Sequence, residues 1–493
     1  MTILDNLINN LNHKKIIGSK KVFVTGIASD SRKVRKDFIY VAIKGDKVDG
    51  SDFIKDALAH GASVIVSEKP IDIIQPCTFI EVTDARAALA ILSTNFYGNP
   101  SEKMRLIGIT GTNGKTTVSH LIESMLQELN HKTGLIGTIE YRFSDYFYRS
   151  NKTTPESQFI NYLFAKMVEE EVDTAVMEVS SHSLKQKRVM GLDFDIAIFT
   201  NLTQDHLDYH KTLEDYIESK TSLFLQLDTK RAKNRGAIIN TDDPYGQYIC
   251  QQMKEGYITY GIDQPADIIA TDIRYDKEGT YFSVEYASYN EDFFIPLLGK
   301  HNVYNTLAAI GAGLLMGFDF GSMRRSLAAF AGVPGRLQRI DASQPFSVYV
   351  DYAHTEDALK QVLMTLRSAH KGKLYVLFGC GGDRDPYKRP VMGEVACKYA
   401  DFTVITSDNP RSENPLNIIR QIQKGFWSDN VYKVIPDRKE AINFAISLCK
   451  ADDVLLIAGK GHEKYQIIGD TLYPFDDAHI VKEFLYERYC SAV

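Results

Sequence analysis

The sequence predicts an α/β protein of three domains, with a central P-loop domain on a doubly wound, mostly parallel sheet and a C-terminal Rossmann-like α/β domain. Three observations predict it. Short apolar runs alternate with helical segments along the whole chain, which is the pattern of parallel sheets. The length of 493 residues is too great for one core and suggests about three domains at ~150 residues each. A glycine-rich turn, Gly111-Thr112-Asn113-Gly114-Lys115-Thr116-Thr117, follows an apolar strand and opens a helix running through Leu121, Ile122 and Leu126.

Along the first hundred residues, strands are expected at 38–43, 63–66 and 78–82, with helices at 53–60 and 85–96. Tyr97-Gly98-Asn99-Pro100-Ser101 is turn chemistry and sets a boundary, so the first domain is expected at 1–99. The central domain, 100–332, carries further buried-type strands at 174–178 and 196–200. Gly332-Val333-Pro334-Gly335 is a second hinge. Beyond it, strands at 348–350, 374–378, 402–405 and 454–458 make a third domain, 333–493. Gly379-Cys380-Gly381-Gly382 is a poor dinucleotide fingerprint, because Asp383 and Asp385 directly after it would repel a pyrophosphate. No repeat period or low-complexity segment is present.

Composition narrows the function. A hydrophobic share of 44% with 24% charged residues is that of a water-soluble globular protein. The net charge of −6 argues against general nucleic-acid binding, which needs a basic face. The six cysteines (Cys77, Cys250, Cys380, Cys397, Cys449 and Cys490) have no C-x-x-C spacing and read as reduced, buried thiols. With no signal peptide and no apolar run near the ~20 residues of a membrane span, a cytoplasmic location without a membrane partner is expected.

The glycine-rich turn carries the chemistry. Bare N–H groups and a helix N-terminus can surround a polyphosphate. Lys115 would reach the β/γ-phosphates and the Thr116 hydroxyl would meet Mg²⁺. The strict G-x-x-x-x-G-K-[ST] pattern needs glycine at Ile109, so this is a G-T-N-G-K-T variant. ATP is the expected ligand. Downstream, Met177-Glu178-Val179-Ser180-Ser181-His182 closes a strand with a carboxylate fit for a hard cation, and Ser180 or Ser181 could cap a helix alongside that role. The run Thr200-Asn201-Leu202-Thr203-Gln204-Asp205-His206-Leu207-Asp208-Tyr209-His210 is unusually polar for a strand-to-helix junction and points to metal and substrate work.

Together G-T-N-G-K-T-T, M-E-V-S-S-H, T-N-L-x-x-D-H-L-D-Y-H, G-K-H-N-x-x-N and D-Y-A-H-T resemble the Mur ligase superfamily of ATP-dependent amide-bond-forming enzymes. G-C-G-G-D-R-D, S-D-N-P-R and A-G-K-G-H-E-x-Y-Q resemble its branch that adds the third amino acid of the peptidoglycan peptide. The resemblance runs in order from about Ser29 to Asp476. It implies that ATP phosphorylates the D-glutamyl carboxylate of UDP-N-acetylmuramoyl-L-Ala-D-Glu and that an amine then attacks the acyl phosphate. It implies Mg²⁺ at Thr116, Glu178 and His206, with Lys220 carbamylated and so converted to an anionic ligand. Lys115, Lys220, His206 and Glu178 are its catalytic residues. Ser31 would contact the uridine diphosphate; Thr153, Thr154, Ser180, Gln186 and Arg188 would hold the muramoyl-dipeptide. Asn302 and Asn305 would lie on the adenine side, and Arg336 and Asp351 at the hinge and ribose. Glu356 stands where the family commonly has proline, which is expected to loosen that turn. Domain closure is implied, and a monomer is expected.

Asp408-Asn409-Pro410-Arg411 resembles the version of this motif found in enzymes that add meso-diaminopimelate rather than L-lysine. Arg411 would offer a planar fork to the second carboxylate, with Asn409 and Pro410 beside it. Glu463 and Asp408 would hold the far ammonium, and Arg384 and Gly459 the near end. Lysine would leave a buried Arg411 unpaired, at a cost of several kcal/mol. L-lysine addition, a folylpolyglutamate synthetase-like ligase and an inactive nucleotide-binding scaffold are the alternatives.

Overall fold

Buried parallel strands need apolar side chains on both faces, and the chain supplies such runs in three sheets. A computed structural model describes residues 2–45, 48–70, 77–203, 207–227, 234–428 and 431–489, with the backbone alone at 207–208. The N-terminal sheet has the order His13–Ile17, Thr78–Val82, Ala62–Ser67, Phe38–Val41, Gly26–Ala28. Its first strand is antiparallel and the others are parallel. Helix Ala85–Phe96 covers it, capped by the Asp84 carboxylate, which accepts from the Ala87 N–H.

In the central sheet, strands Thr133–Ile136, Thr174–Glu178, Arg105–Thr110, Ile196–Phe199, Gly236–Asn240 and Tyr257–Gly261 lie parallel in that order. Two antiparallel strands, Glu140–Phe143 and Tyr146–Arg149, extend the Thr133–Ile136 side. The P-loop strand Arg105–Thr110 is thus flanked by Thr174–Glu178 and Ile196–Phe199, with Glu178 in register with Ile109 and Phe199 with Thr110. Three carboxyl ends therefore converge, the place where parallel sheets take ligands.

By packing, the chain divides into two compact units. The first comprises Met1–Ile269, Tyr286–Ser288 and Tyr304–Ser326, and so holds both sheets just described. Within it Gln158 Nε2 donates to Ser29 Oγ at 3.1 Å, and Lys187 pairs with Asp84 at 2.6 Å. The second comprises Ala270–Glu285, Tyr289–Val303 and Leu327–Val493. Its sheet runs Gln338–Ile340, Ser347–Asp351, Val454–Ala458, Leu374–Phe378, Phe402–Ile405, Tyr432–Val434, antiparallel only at the first pair. A hairpin, Tyr465–Ile468 and Thr471–Pro474, follows.

Three expectations need correction. Helix Glu356–Ala369 starts without a loosened turn: the Thr355 hydroxyl caps it, and Glu356 in the first turn suits the helix dipole. Among the thiols, Cys380 and Cys397 are buried, but Cys77, Cys250 and Cys449 are only partly so, and Cys490 lies outside the described residues. The antiparallel pair at 140–149 was not expected, since its exposed Tyr146 and Phe147 break the buried-strand pattern. Among the described residues no helix is long and apolar enough to cross a membrane.

Arg438 and Asp477 form an ion pair at 2.7 Å with both side chains fully buried, and Arg438 Nη2 also donates to the Ala458 carbonyl at 3.0 Å. Removing one partner strands a buried charge. Asp477→Ala is expected to cost about 3–5 kcal/mol, read as a lowered midpoint in urea unfolding of the whole chain; an unchanged midpoint would contradict it.

Candidate active site

At the end of strand Arg105–Thr110 the backbone turns through Gly111, at φ 147°, and Gly114, at φ 86°, into helix Lys115–Glu128. A Cβ on Gly111 would sit 1.9 Å from Thr200 Oγ1, so only glycine fits. The segment after strand Ile196–Phe199 braces this loop. Thr200 Oγ1 donates to the Asn113 carbonyl at 2.6 Å, and the N–H groups of Thr112 and Asn113 donate to Asn201 at 2.8 and 2.9 Å. Part of the polar run expected to work on metal and substrate therefore shapes the P-loop instead. Gln204, Asp205 and the candidate ligand His206 lie outside the described residues.

The Glu178 carboxylate is wholly buried at the neighbouring strand end. Oε2 accepts from Thr116 Oγ1 at 3.0 Å and Thr138 Oγ1 at 2.9 Å, and Oε1 from the Thr138 N–H at 2.9 Å. Thr153 Oγ1 lies 3.0 Å from Thr138 Oγ1. Glu178 and Thr116, 62 residues apart, are thus joined as expected. All donors are hard oxygens. The Glu178 carboxylate and the Thr116 and Thr138 hydroxyls are the kind of ligand that suits Mg²⁺.

Lys220, on helix Leu213–Leu225, is 1% exposed. Its Nζ donates to the Gly111 carbonyl at 2.8 Å, as does Lys115 Nζ, which also reaches the Thr112 carbonyl at 2.8 Å. Burial on the P-loop rules out a solvated helix lysine.

The expected dipeptide residues meet in the same unit. Arg188 is buried, donating to Gln186 Oε1 at 2.5 Å and the Thr154 carbonyl at 2.8 Å, and its Nε lies 3.2 Å from Glu156. Burial would raise the Glu156 carboxyl, but Arg188 and Lys152 together hold it below its ordinary value. Arg86, from the N-terminal sheet's helix, donates to the same Gln186 oxygen at 3.3 Å. Ser31 is buried at the start of a short turn capped by Asp30. Two residues are already engaged. Thr154 is fully buried, its hydroxyl bridging the Glu178 carbonyl and the Ser180 N–H. Ser180 caps helix Ser181–Lys185, so the capping reading of that serine holds.

Of the nucleotide-side residues, Asn305 belongs to the first unit, where its Oδ1 would lie 2.4 Å from a Cβ on Gly114. Asn302, Arg336 and Asp351 belong to the second. Asp351 accepts from the Leu337 and Ala353 N–H groups at 2.6 and 2.7 Å, and burial raises its carboxyl. The Arg336 guanidinium lies over the Tyr352 ring at 5.1 Å.

In the second unit the Asp408–Arg411 loop leaves strand Phe402–Ile405 and packs against Gly381 and Gly382. A Cβ on Gly382 would lie 1.9 Å from the Pro410 carbonyl, which is why glycines stand there; they serve this contact, not a dinucleotide. Arg411 Nη1 donates to the Gly382 carbonyl at 2.7 Å, and the Arg411 backbone bonds to Ile467 and Gly469 of the hairpin. Arg384 is exposed, and its stem, like the Arg411 guanidinium, lies near the position a Cβ on Gly381 would take. Asn409 Nδ2 donates to Glu463 Oε2 at 2.9 Å, and Asp408 Oδ2 faces Gly459. Arg411 is half-buried rather than buried, which corrects the cost expected for leaving it unpaired. The sequence reading missed Lys460, which is fully buried here, and Arg389, which grips Glu413 through two bonds of 2.8 Å. Their only signal was a charge inside or beside a recognised motif.

A P-loop whose helix hydroxyl meets a buried strand-end carboxylate, in a chain with a separate cluster of opposite charges, fits an ATP-dependent amide-bond-forming ligase. Three family models match: "Mur ligase family, catalytic domain" over 23–97, "Mur ligase middle domain" over 109–313 and "Mur ligase, glutamate ligase domain" over 335–461. The chain belongs to the Mur ligase family. It is 46% identical over 487 residues to the UDP-N-acetylmuramoyl-L-alanyl-D-glutamate–2,6-diaminopimelate ligase of Bacillus cereus, covering 98% of this chain and 99% of that one. A solved structure of an enzyme of the same name matches with a TM-score of 0.74 at 32% identity, over 99% of both chains. A folylpolyglutamate synthase of Mycobacterium tuberculosis, complexed with ADP and AMPPCP, shares the fold at a TM-score of 0.61 and 18% identity, over 76% of this chain and 92% of that one.

Proposed function

We propose that this chain adds meso-diaminopimelate to the D-glutamate of UDP-N-acetylmuramoyl-L-Ala-D-Glu, using ATP, in peptidoglycan precursor synthesis. The observation that supports the choice of amino acid is that Arg411 shares one loop with Asp408 and with Asn409, whose amide holds Glu463. A guanidinium and two carboxylates together match the carboxylate and ammonium of a second α-amino-acid end. The folate reading leaves that cluster and the N-terminal sheet without a use, and the scaffold reading leaves the buried Glu178 and Lys220 unexplained.

In this reading, residues 1–99 with Ser31 hold the uridine diphosphate, 100–332 the ATP, and 333–493 the amino acid. Thr153, Gln186 and Arg188 bind the muramoyl-dipeptide, with Thr154 and Ser180 fixing the backbone beneath them. The Gly111–Thr117 loop, Asn302, Asn305, Arg336 and Asp351 bind ATP. The γ-phosphoryl passes to the D-glutamyl carboxylate, and the diaminopimelate amine displaces phosphate from the acyl phosphate. Negative charge builds at each step, so Lys115 and the P-loop amides supply electrostatic stabilisation. Thr116, Glu178, His206 and Lys220 as its carbamate would hold Mg²⁺, which when bound supplies further charge neutralisation at the phosphates. The enzyme works as a cytoplasmic monomer without nucleic-acid or membrane partners.

The test is phosphate release from ATP with UDP-N-acetylmuramoyl-L-Ala-D-Glu, comparing meso-diaminopimelate with L-lysine at equal concentrations. Release dependent on diaminopimelate is expected. Release with lysine alone would overturn the amino-acid assignment, and none with either would overturn the ligase reading.

A further inference from the structure

Lys460 has no part in the roles assigned so far. It follows strand Val454–Ala458, between Gly459 at φ 113° and Gly461 at φ 53°, so the backbone turns sharply on either side of it. Its side chain is fully buried. Nζ lies 3.1 Å from Asn409 Oδ1 and 3.1 Å from Glu463 Oε2, and 5.8 Å from the centre of the Tyr465 ring. Burying an ammonium for stability alone is a poor bargain, since a packed apolar side chain does as well or better. Its retention calls for a use.

The bonds around Asn409 show what that use is. Oδ1 accepts from Lys460 and from the Ile467 N–H at 3.0 Å, so Nδ2 must face Glu463 Oε2, where it donates at 2.9 Å. Glu463 Oε2 is thereby taken twice. Asp408 Oδ1 is taken by the Asn409 N–H at 2.6 Å. Glu463 Oε1 and Asp408 Oδ2 accept no hydrogen bond from the described residues. Two carboxylates therefore each keep one oxygen in hand, and a resident cation offsets one of their two charges.

We propose that Lys460 is the positioning residue of the amino-acid pocket. It fixes the Asn409 amide and the Glu463 carboxylate so that Glu463 Oε1 and Asp408 Oδ2 together receive the far ammonium of the incoming diamino acid. Its contacts are with Asn409, Glu463 and Tyr465, so it acts on binding of the amino acid and not on the chemical step. The inference rests on the ligase reading above. It adds a division of labour: Arg411 reads the carboxylate that only diaminopimelate has, whereas Lys460 sets up recognition of the ammonium that diaminopimelate and lysine share.

The test is steady-state phosphate release by the full chain carrying Lys460→Met, Lys460→Arg or Asn409→Asp. Lys460→Met is expected to raise KM for diaminopimelate about tenfold or more, with kcat and the KM values for ATP and the UDP-precursor little changed. Lys460→Arg should recover part of the loss, and the diaminopimelate-to-lysine preference should survive, unlike in Arg411→Ala. Asn409→Asp keeps the partner of Lys460 but turns a donor to Glu463 into an acceptor, so it too should raise KM for diaminopimelate. This variant decides the matter if Lys460→Met fails to fold. An unmoved KM, or a fall in kcat alone, would overturn the role of Lys460. Absence of amine-dependent release from the unmodified enzyme would instead remove the ligase reading.

Discussion

Lys220→Ala is expected to lower kcat for diaminopimelate-dependent phosphate release by about a hundredfold to a thousandfold, the loss that follows removal of one preorganised charged group. The geometry explains why so large an effect should come from a residue on a separate helix. Lys220 Nζ and Lys115 Nζ both donate to the Gly111 carbonyl at 2.8 Å, in a site where Lys220 is 1% exposed. Two ammonium groups on one carbonyl repel, and water is too scarce there to screen them. Carbamylation would join CO₂ to the Lys220 nitrogen with loss of two protons, turning the cation into an anion and that repulsion into an attraction that orients Lys115 toward phosphate. If so, Lys220→Arg should be as inactive as Lys220→Ala, because arginine keeps the positive charge. Acetate or formate should restore part of the activity to Lys220→Ala and none to Lys115→Ala. An active Lys220→Arg enzyme would sink the carbamate.

The strands of the two parallel sheets were legible because burial on both faces leaves little choice of residue. Thr174–Glu178, Leu374–Phe378, Phe402–Ile405 and Val454–Ala458 run where the apolar pattern puts them, and helix Ala85–Phe96 likewise. Strands with a solvated face were not legible. Tyr146–Arg149 mixes exposed aromatic and charged residues, and its place is set by pairing with Glu140–Phe143.

The site divides in the same way. Thr116 and Glu178 could be joined from sequence because Thr116 opens the helix after one parallel strand, Glu178 ends the neighbouring strand, and neighbouring ends converge. What escaped was how each polar atom is used. Nothing local says that the Thr154 hydroxyl is consumed between two backbone groups, whereas Thr153 beside it meets Thr138. Nor does a lysine between two glycines announce its own burial. Lys460, Arg389 and Arg438 are each identified by partners 3 to 51 residues away. Such partnerships are settled by folding, not by spacing.

Arg411→Ala is expected to collapse the preference for meso-diaminopimelate over L-lysine, chiefly by raising KM for diaminopimelate. The size of the effect follows from the setting of the guanidinium. Arg411 is half-buried, and one of its N–H groups is already given to the Gly382 carbonyl at 2.7 Å. A wholly buried, unpaired arginine would reject lysine by several kcal/mol, but solvent reaching this side chain relieves part of that penalty. The preference in the unmodified enzyme should therefore be on the order of a hundredfold, rather than the 10⁴ or more of a sealed polar pocket. Arg411→Ala should bring the two kcat/KM values close together by lowering that for diaminopimelate and leaving that for lysine nearly unchanged. Arg411→Lys should not restore the preference, because an ammonium cannot reproduce the two-pronged contact of guanidinium with carboxylate. The backbone argues that the loop itself would survive: the Arg411 N–H and carbonyl are held by Ile467 and Gly469, bonds that do not depend on the side chain. Steady-state kinetics with both amino acids for the three proteins would decide it, and an Arg411→Ala enzyme that still strongly prefers diaminopimelate would move recognition of the second carboxylate to Arg384, which also lies beside Gly381.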